Sequence, residues 1–235
     1  MSKEAIILAG GLGTRLRSVV SDKPKSMAVI NGRPFLDYQI KYLESWGIDH
    51  VILSVGYKRE IIQNYFGEQF SSVKIDYAVE EEPLGTGGGV KNALQHVKGH
   101  HVLVFNGDTF FEVNLKRVFD YQRIKDADVT LVLRFVDDVS RYGCVEMDEE
   151  RQITGFTEKG GKSGEGFING GVYYFAKNYL LDFDLPDKFS IEKDFFEKYC
   201  KEERFFGFKC HGYFLDIGIP EDYKKAHEEF VRLPY

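Results

Sequence analysis

The chain has 235 residues, 43% apolar and 15% aromatic, which is enough to build a sizeable core and too much for an intrinsically disordered polymer. Its 31 Lys and Arg face 37 Asp and Glu, a formal charge of −6, and no block of Lys and Arg exceeds two or three residues, so no nucleic-acid partner is expected. No run approaches the roughly eighteen apolar residues of a membrane span, and Met1-Ser2-Lys3-Glu4 lacks the apolar region of an export signal, so no membrane partner and a cytoplasmic location are expected. Cys144, Cys200 and Cys210 have no CxxC spacing and read as reduced thiols.

Along the chain, Ala5-Ile6-Ile7-Leu8 is a short apolar run closed by glycines, the pattern of a buried parallel strand. Pro34 opens a helical stretch carrying Phe35, Leu36, Ile40 and Leu43, which ends at Gly47. Strands follow at 51–55 and 73–79 around a short helix at 60–66; Thr86 can cap a helix running to about His96, and 102–105 is another apolar strand. This alternation argues for a parallel sheet with helices on both faces. Beyond Asp128 the segments 129–135, 144–147, 153–157 and 168–175 are strand-like, a helix spans about 191–199, and 205–209 and 213–217 are strand-like again. Pro220 fits the first turn of a final helix. With no low-complexity linker, residues 1–235 read as one domain, a nucleotide half to about 128 and a second-substrate half from about 129. The glycine-rich stretch 159–166 has the composition of a flap.

Leu8-Ala9-Gly10-Gly11-Leu12-Gly13-Thr14-Arg15-Leu16 follows the first strand directly. Glycines there let backbone amides approach an anion, and Arg15 adds a fixed cation. A dinucleotide fingerprint does not fit, because Leu16 stands where its third glycine belongs, and no GxxxxGK[ST] is present. A structural turn with a surface arginine is the competing account of this loop alone.

Lys23-Pro24-Lys25-Ser26-Met27 comes next, and the pair LAGGLGTRL and KPKSM resembles the sugar-1-phosphate nucleotidylyltransferases. Further landmarks of that family stand in order: Glu82-Pro83-Leu84-Gly85-Thr86-Gly87, Asn106-Gly107-Asp108, Glu158-Lys159, Asn169-Gly170-Gly171 and Asp216-Ile217-Gly218. The resemblance implies a Rossmann-like mixed α/β sheet flanked by helices, with a small β-rich sugar-binding portion. It implies Mg²⁺ on Asp108 and Asp216, and a nucleotide loop of Leu8, Ala9, Gly10, Gly11, Gly13 and Thr14 together with Pro83, Gly85 and Thr86. It implies sugar-phosphate contacts from Asn106, Gly143, Glu158, Lys159, Asn169 and Gly170. Ser26 departs from a usual proline, Gly87 from alanine, and Phe214 and Ile219 from the commoner Trp and Thr. The wordings EEPLGTGG and FLDIGIPEDY are most similar to the subgroup that makes a GDP-activated heptose, so GTP and a heptose 1-phosphate are the implied substrates. A monomer or homodimer is expected, without the C-terminal β-helix or acetyltransferase domain of some relatives.

The implied reaction displaces pyrophosphate from a nucleoside triphosphate with a sugar phosphate oxygen. A phosphomonoester with a second pKa near ~6 is already mostly dianionic at neutral pH, so no general base is demanded. The demand is for cations in a net-negative protein: Arg15 for the β- and γ-phosphates, Lys25 for the α-phosphate and Lys159 for the sugar phosphate. Glu80 is the candidate reader of guanine, because a carboxylate can accept from both N1–H and the exocyclic amine; a solvated acidic edge, Glu80-Glu81-Glu82, is the alternative. An Asp-x-Asp glycosyltransferase motif is missing at Asp108-Thr109-Phe110, and a catalytically silent sensor would be expected to lack some of Arg15, Lys25, Asp108 and Asp216.

Overall fold

The first apolar run becomes β1 (Glu4–Leu8), whose alternate side chains feed two cores. The computed structural model describes residues 3–11, 16, 22–157 and 161–235. Ala5 and Ile7 point into one core with Leu36 and Ile40, and Ile6 points into the other with Val90 and Phe196. A strand apolar on both faces must be covered on both, which is why this run lies inside the sheet.

The remaining strands are β2 (Val29–Ile30), β3 (Arg33–Pro34), β4 (His50–Val55), β5 (Gln69–Phe70), β6 (Val73–Val79), β7 (His101–Asn106), β8 (Thr109–Phe111), β9 (Val129–Val136), β10 (Cys144–Met147), β11 (Ile153–Thr157), β12 (Gly166–Ala176), β13 (Phe205–Cys210) and β14 (Phe214–Asp216). The helices are α1 (Phe35–Ser45), α2 (Arg59–Phe66), α3 (Gly85–Ala93), α4 (Leu115–Lys125), α5 (Lys177–Leu181) and α6 (Pro220–Glu229), with a π-helical segment at Ile191–Glu197. The large sheet runs β13-β9-β12-β7-β1-β4-β6-β5. β7, β1, β4 and β6 are parallel, as the alternating first half implies, whereas β12 runs antiparallel to both β7 and β9. The second-half strands β9, β12 and β13 thus extend the first-half sheet into one mixed sheet, and β10 with β11 forms the separate hairpin.

Two elements, α3 and the π-helical segment, differ from the sequence expectation. Thr86 does not cap α3: the cap position is Leu84, without a side-chain hydrogen bond, and Thr86 lies inside the helix. The strand expected at 213–217 is present as β14, and it pairs with β8 outside the large sheet. The helix expected at 191–199 is π-helical over most of its length. Helix α4, unassigned from the sequence, is capped by Asn114, whose Oδ1 accepts from Arg117 N at 3.0 Å. The Phe195-Phe196-Tyr199 stripe packs as core against Phe183 and Phe205.

At the amino ends of the parallel strands, His50 bridges two carboxylates, with Nδ1 2.7 Å from Glu4 Oε1 and Nε2 2.9 Å from Asp76 Oδ2. Glu4 also accepts the backbone amides of Lys98 and Gly99. Burial opposes its charge, but those amides and His50 outweigh it and hold its pKa below the ordinary 4.5. A depressed carboxylate stabilises the fold fully above its unfolded pKa and loses that contribution as pH falls through the folded one. Glu4→Gln should therefore cost about 2 kcal/mol near neutrality and flatten the loss of stability below about pH 4.5. Urea midpoints across pH check this; an acid limb as steep as that of the parent would contradict it.

Candidate active site

β7 delivers Asn106 to the carboxyl end of the sheet, where open α/β sheets bind ligands. The chain then turns at Gly107, whose amide donates to Leu8 O at 3.0 Å; a Cβ there would overlap that carbonyl. Asp108 follows, and β8 runs back against β14 with Thr109 opposite Asp216. Ile217 N donates to Asp108 O at 3.0 Å, so the two aspartates are held side by side although they are distant in sequence. Asp216 Oδ1 accepts from Gly218 N at 2.7 Å, and the cap of α6 is Ile219, which excludes a capping role for Asp216.

Lys25 lies on a single helical turn, Lys25–Met27, and reaches this pair: Nζ is 2.6 Å from Asp108 Oδ2 and 3.6 Å from Asp216 Oδ1. Its side chain is only 10% exposed, so its charge is aimed inward. Two converging carboxylates fit a hard divalent cation that completes its shell with water and substrate phosphate oxygens. Among the described residues, no group of three or more His, Cys, Asp and Glu side chains is built to hold a metal by itself.

Glu80 separates from its neighbours. Glu81 and Glu82 are exposed, whereas Glu80 turns in, its Oε1 accepting from Ser54 Oγ at 2.6 Å and its Oε2 from Leu84 N at 3.1 Å. A Cβ on Gly10 would stand 3.2 Å from that carboxylate and one on Gly89 2.9 Å, so glycine backbone abuts it on both sides. Each carboxylate oxygen has further acceptor capacity, so the group is oriented and still able to receive donors. Leu8 O and Ala9 N are engaged within the fold, with Gly107 N and with Ser54 O at 2.9 Å, which anchors the start of the glycine loop. Gly11 and Pro83 are exposed beside it. Gly85, at φ +76°, abuts the Phe189 carbonyl. A Cβ on Gly87 would overlap the Phe189 ring, a physical reason for glycine there.

On the expected sugar side, Asn169-Gly170-Gly171 is a β-bulge within β12, with Gly171 at φ +71°. Asn169 accepts from Gly171 N at 2.9 Å and donates from Nδ2 to Tyr173 OH at 2.8 Å, so its amide is largely engaged within the bulge. Gly170 packs against the Phe111 ring, and Asn106 packs across Gly171. Asn106 Oδ1 is buried with no hydrogen-bond partner among the described residues. Gly143 has φ +82°, and its neighbour Tyr142 packs edge-on to Phe214, two residues before Asp216. The expected site residues Gly13, Thr14, Arg15, Glu158 and Lys159 lie outside the described residues.

Two contributors escape the sequence reading. Gln39 is 3% exposed, and its Nε2 donates to both Asn106 O and Thr109 O at 2.9 Å, clamping the turn that carries Asp108. Its signal is a polar residue on the apolar face of α1, three after Leu36 and four before Leu43. Ser54, fully buried in β4 directly after the apolar Val51-Ile52-Leu53, carries the same kind of signal and holds Glu80.

The nucleotidyl transferase family model matches residues 4–232. A D-glycero-alpha-D-manno-heptose 1-phosphate guanylyltransferase of Aneurinibacillus thermoaerophilus is 50% identical over 226 residues, covering 96% of this chain and 97% of that one. A protein of the same description from Campylobacter jejuni is 45% identical over 220 residues, 94% of this chain and 96% of its own. Among solved structures, HddC from Yersinia pseudotuberculosis complexed with GMP-PN superposes with a TM-score of 0.86 at 42% identity, covering 97% of this chain and 99% of that one.

Proposed function

The chain belongs to the nucleotidyl transferase family, and from that premise we propose that it joins GTP to D-glycero-α-D-manno-heptose 1-phosphate, forming GDP-heptose and pyrophosphate. The observation that carries the reading is the convergence of Lys25, Asp108 and Asp216 at the carboxyl end of the sheet, with the Glu80 carboxylate oriented beside the glycine loop.

In this reading a phosphate oxygen of the sugar 1-phosphate attacks the α-phosphorus of GTP. The bond from that phosphorus to the bridging oxygen breaks, and the electron pair leaves with pyrophosphate. Charge grows on the α-phosphate oxygens and the leaving group, so catalysis is positioning and electrostatic stabilisation. Lys25, held nearly buried by two carboxylates, supplies a fixed positive charge that needs little reorganisation. Asp108 and Asp216 would hold Mg²⁺, which when bound neutralises charge on the phosphate oxygens. Arg15 is assigned to the β- and γ-phosphates and Lys159 to the sugar phosphate on the strength of the family motifs they occupy. Gln39 keeps Asp108 in place by closing two carbonyls of its turn.

Glu80 carries the choice of base. Facing guanine, a carboxylate accepts two hydrogen bonds; facing uracil or thymine it meets one donor and a carbonyl that repels it. A preference for GTP over UTP of ~10²-fold or more is expected, since the wrong base leaves buried polar groups unpaired. A matrix of triphosphates against sugar 1-phosphates, read by pyrophosphate release, tests the reading, and Glu80→Gln should erode the guanine preference. Preference for UTP or dTTP throughout would reject guanylyl transfer. Equal rates with mannose 1-phosphate and the heptose would reject the sugar assignment alone, because the extra carbon needs a pocket that the hexose leaves empty.

A further inference from the structure

Helix α3, which carries the base loop, is bound to the segment 185–192 of the second half by an unusual density of polar contacts. Phe189 N donates to Leu84 O at 3.0 Å, and Phe189 O accepts from Gly87 N at 3.0 Å. Gly85, Gly87 and Gly88 permit this, since a Cβ at any of them would collide with the Phe189 backbone or ring or with the Asp187 carbonyl. Lys91 Nζ adds a bond to Leu185 O at 2.9 Å. An α3 packed backbone to backbone against this segment cannot shift without moving it.

The contact continues through side chains toward the bulge in β12. Thr86 Oγ1 accepts from Ile191 N at 3.0 Å and donates to Glu192 Oε2 at 2.6 Å. The same oxygen accepts from Ser190 Oγ at 2.8 Å. The other carboxylate oxygen, Glu192 Oε1, faces Tyr173 OH at 3.5 Å, and Tyr173 OH accepts from Asn169 Nδ2 at 2.8 Å. Tyr173 is fully buried; burial first, and then the nearby Glu192 charge, raise its pKa well above 10, so its hydroxyl keeps its proton. Glu192 therefore takes a hydroxyl donor from helix α3 on one oxygen and faces a hydroxyl from the sugar-side strand on the other.

We propose that Glu192 is a positioning residue that couples the two substrate subsites, so that a nucleotide bound beside α3 orders the Asn169–Gly171 bulge for the sugar phosphate. The π-helical segment begins one residue before Glu192, and such local widening of a helix recurs at functional sites. The inference rests on the reading that Glu80 and α3 meet the base and the bulge meets the sugar. Energetically it is a linkage between two ligands, and reciprocity requires the sugar phosphate to tighten nucleotide binding by the same factor.

The test uses the full chain and three variants, Glu192→Gln, Thr86→Val and Tyr173→Phe, with whichever triphosphate and sugar 1-phosphate the parent turns over fastest. The KM for the sugar phosphate is measured at low and saturating nucleotide. In the parent, saturation should lower it by at least about fivefold. Glu192→Gln should abolish that dependence with a smaller change in kcat, because a glutamine cannot accept from Thr86, Ser190 and Tyr173 together. Tyr173→Phe should raise the sugar-phosphate KM, leave the nucleotide KM near the parent value, and add nothing in the Glu192→Gln background. Additive effects of the two substitutions, or dependence intact in stably folded Glu192→Gln, would overturn the coupling while leaving the proposed reaction standing. Amide exchange gives a readout without turnover: GTP should slow exchange at 84–88 and at 169–173 in the parent, and only at 84–88 in Glu192→Gln and Thr86→Val. Protection of both segments in those variants, or of 84–88 alone in the parent, also overturns it. If no substrate pair reacts, the proposed reaction fails, and the exchange result still decides the coupling.

Discussion

Lys25→Ala should lower kcat by about 10²- to 10³-fold, the scale lost when one preorganised electrostatic contact to a developing charge is removed. The ammonium lies 2.6 Å from Asp108 and 3.6 Å from Asp216, and without it one positive charge is lost where two carboxylates meet the incoming phosphates. The side chain is nearly buried, so water cannot replace its charge cheaply, and the protein's formal charge of −6 offers no background attraction for an anion. The loss should fall on kcat more than on the KM for GTP, because the α-phosphate gains charge only on the way to the transition state. Lys159→Ala should instead raise mainly the KM for the sugar phosphate. Steady-state kinetics of both variants provide the check; the same pattern in both would refute the division of labour, and a kcat for Lys25→Ala within about threefold of the parent would refute its role.

Asp108→Asn should reduce turnover by at least ~10²-fold while leaving the fold intact. The change is nearly isosteric, the side chain is 38% exposed, and the backbone carbonyls of its turn are held by Gln39 Nε2 and Ile217 N, which the substitution does not touch. The variant loses the negative charge that orients Lys25 and that a divalent cation requires. Asp216→Asn should be similarly impaired, and the double variant little worse than either, since in the proposed mechanism both aspartates would serve one ion and one lysine. EDTA should abolish parent activity and Mg²⁺ restore it. Full activity in EDTA, or near-normal turnover by Asp108→Asn with an unchanged thermal midpoint, would remove the metal from the mechanism.

Sequence alone determined the elements whose signals are local. The largely apolar runs at 5–8, 51–55 and 102–105 had the pattern of buried strands, and Pro220 marked the first turn of α6 because its ring presets φ and its missing amide hydrogen is not needed there. The glycine loop, KPKSM and Asn106-Gly107-Asp108 were likewise legible, since a motif is a short-range arrangement of chemistry along the chain. Tertiary structure decided how those pieces meet. Nothing local says that 214–216 leaves the main sheet to pair with β8, yet that register is what sets Asp216 opposite Thr109 and beside Asp108. Nor could spacing show that Asn169-Gly170-Gly171 is a bulge, that Glu80 turns inward while Glu81 and Glu82 face solvent, or that Thr86 bonds Glu192 instead of capping its own helix. In each case the partner lies far away in sequence, and a polar side chain in a half-buried site takes the role of whichever donor or acceptor the packed core brings within about 3 Å of it.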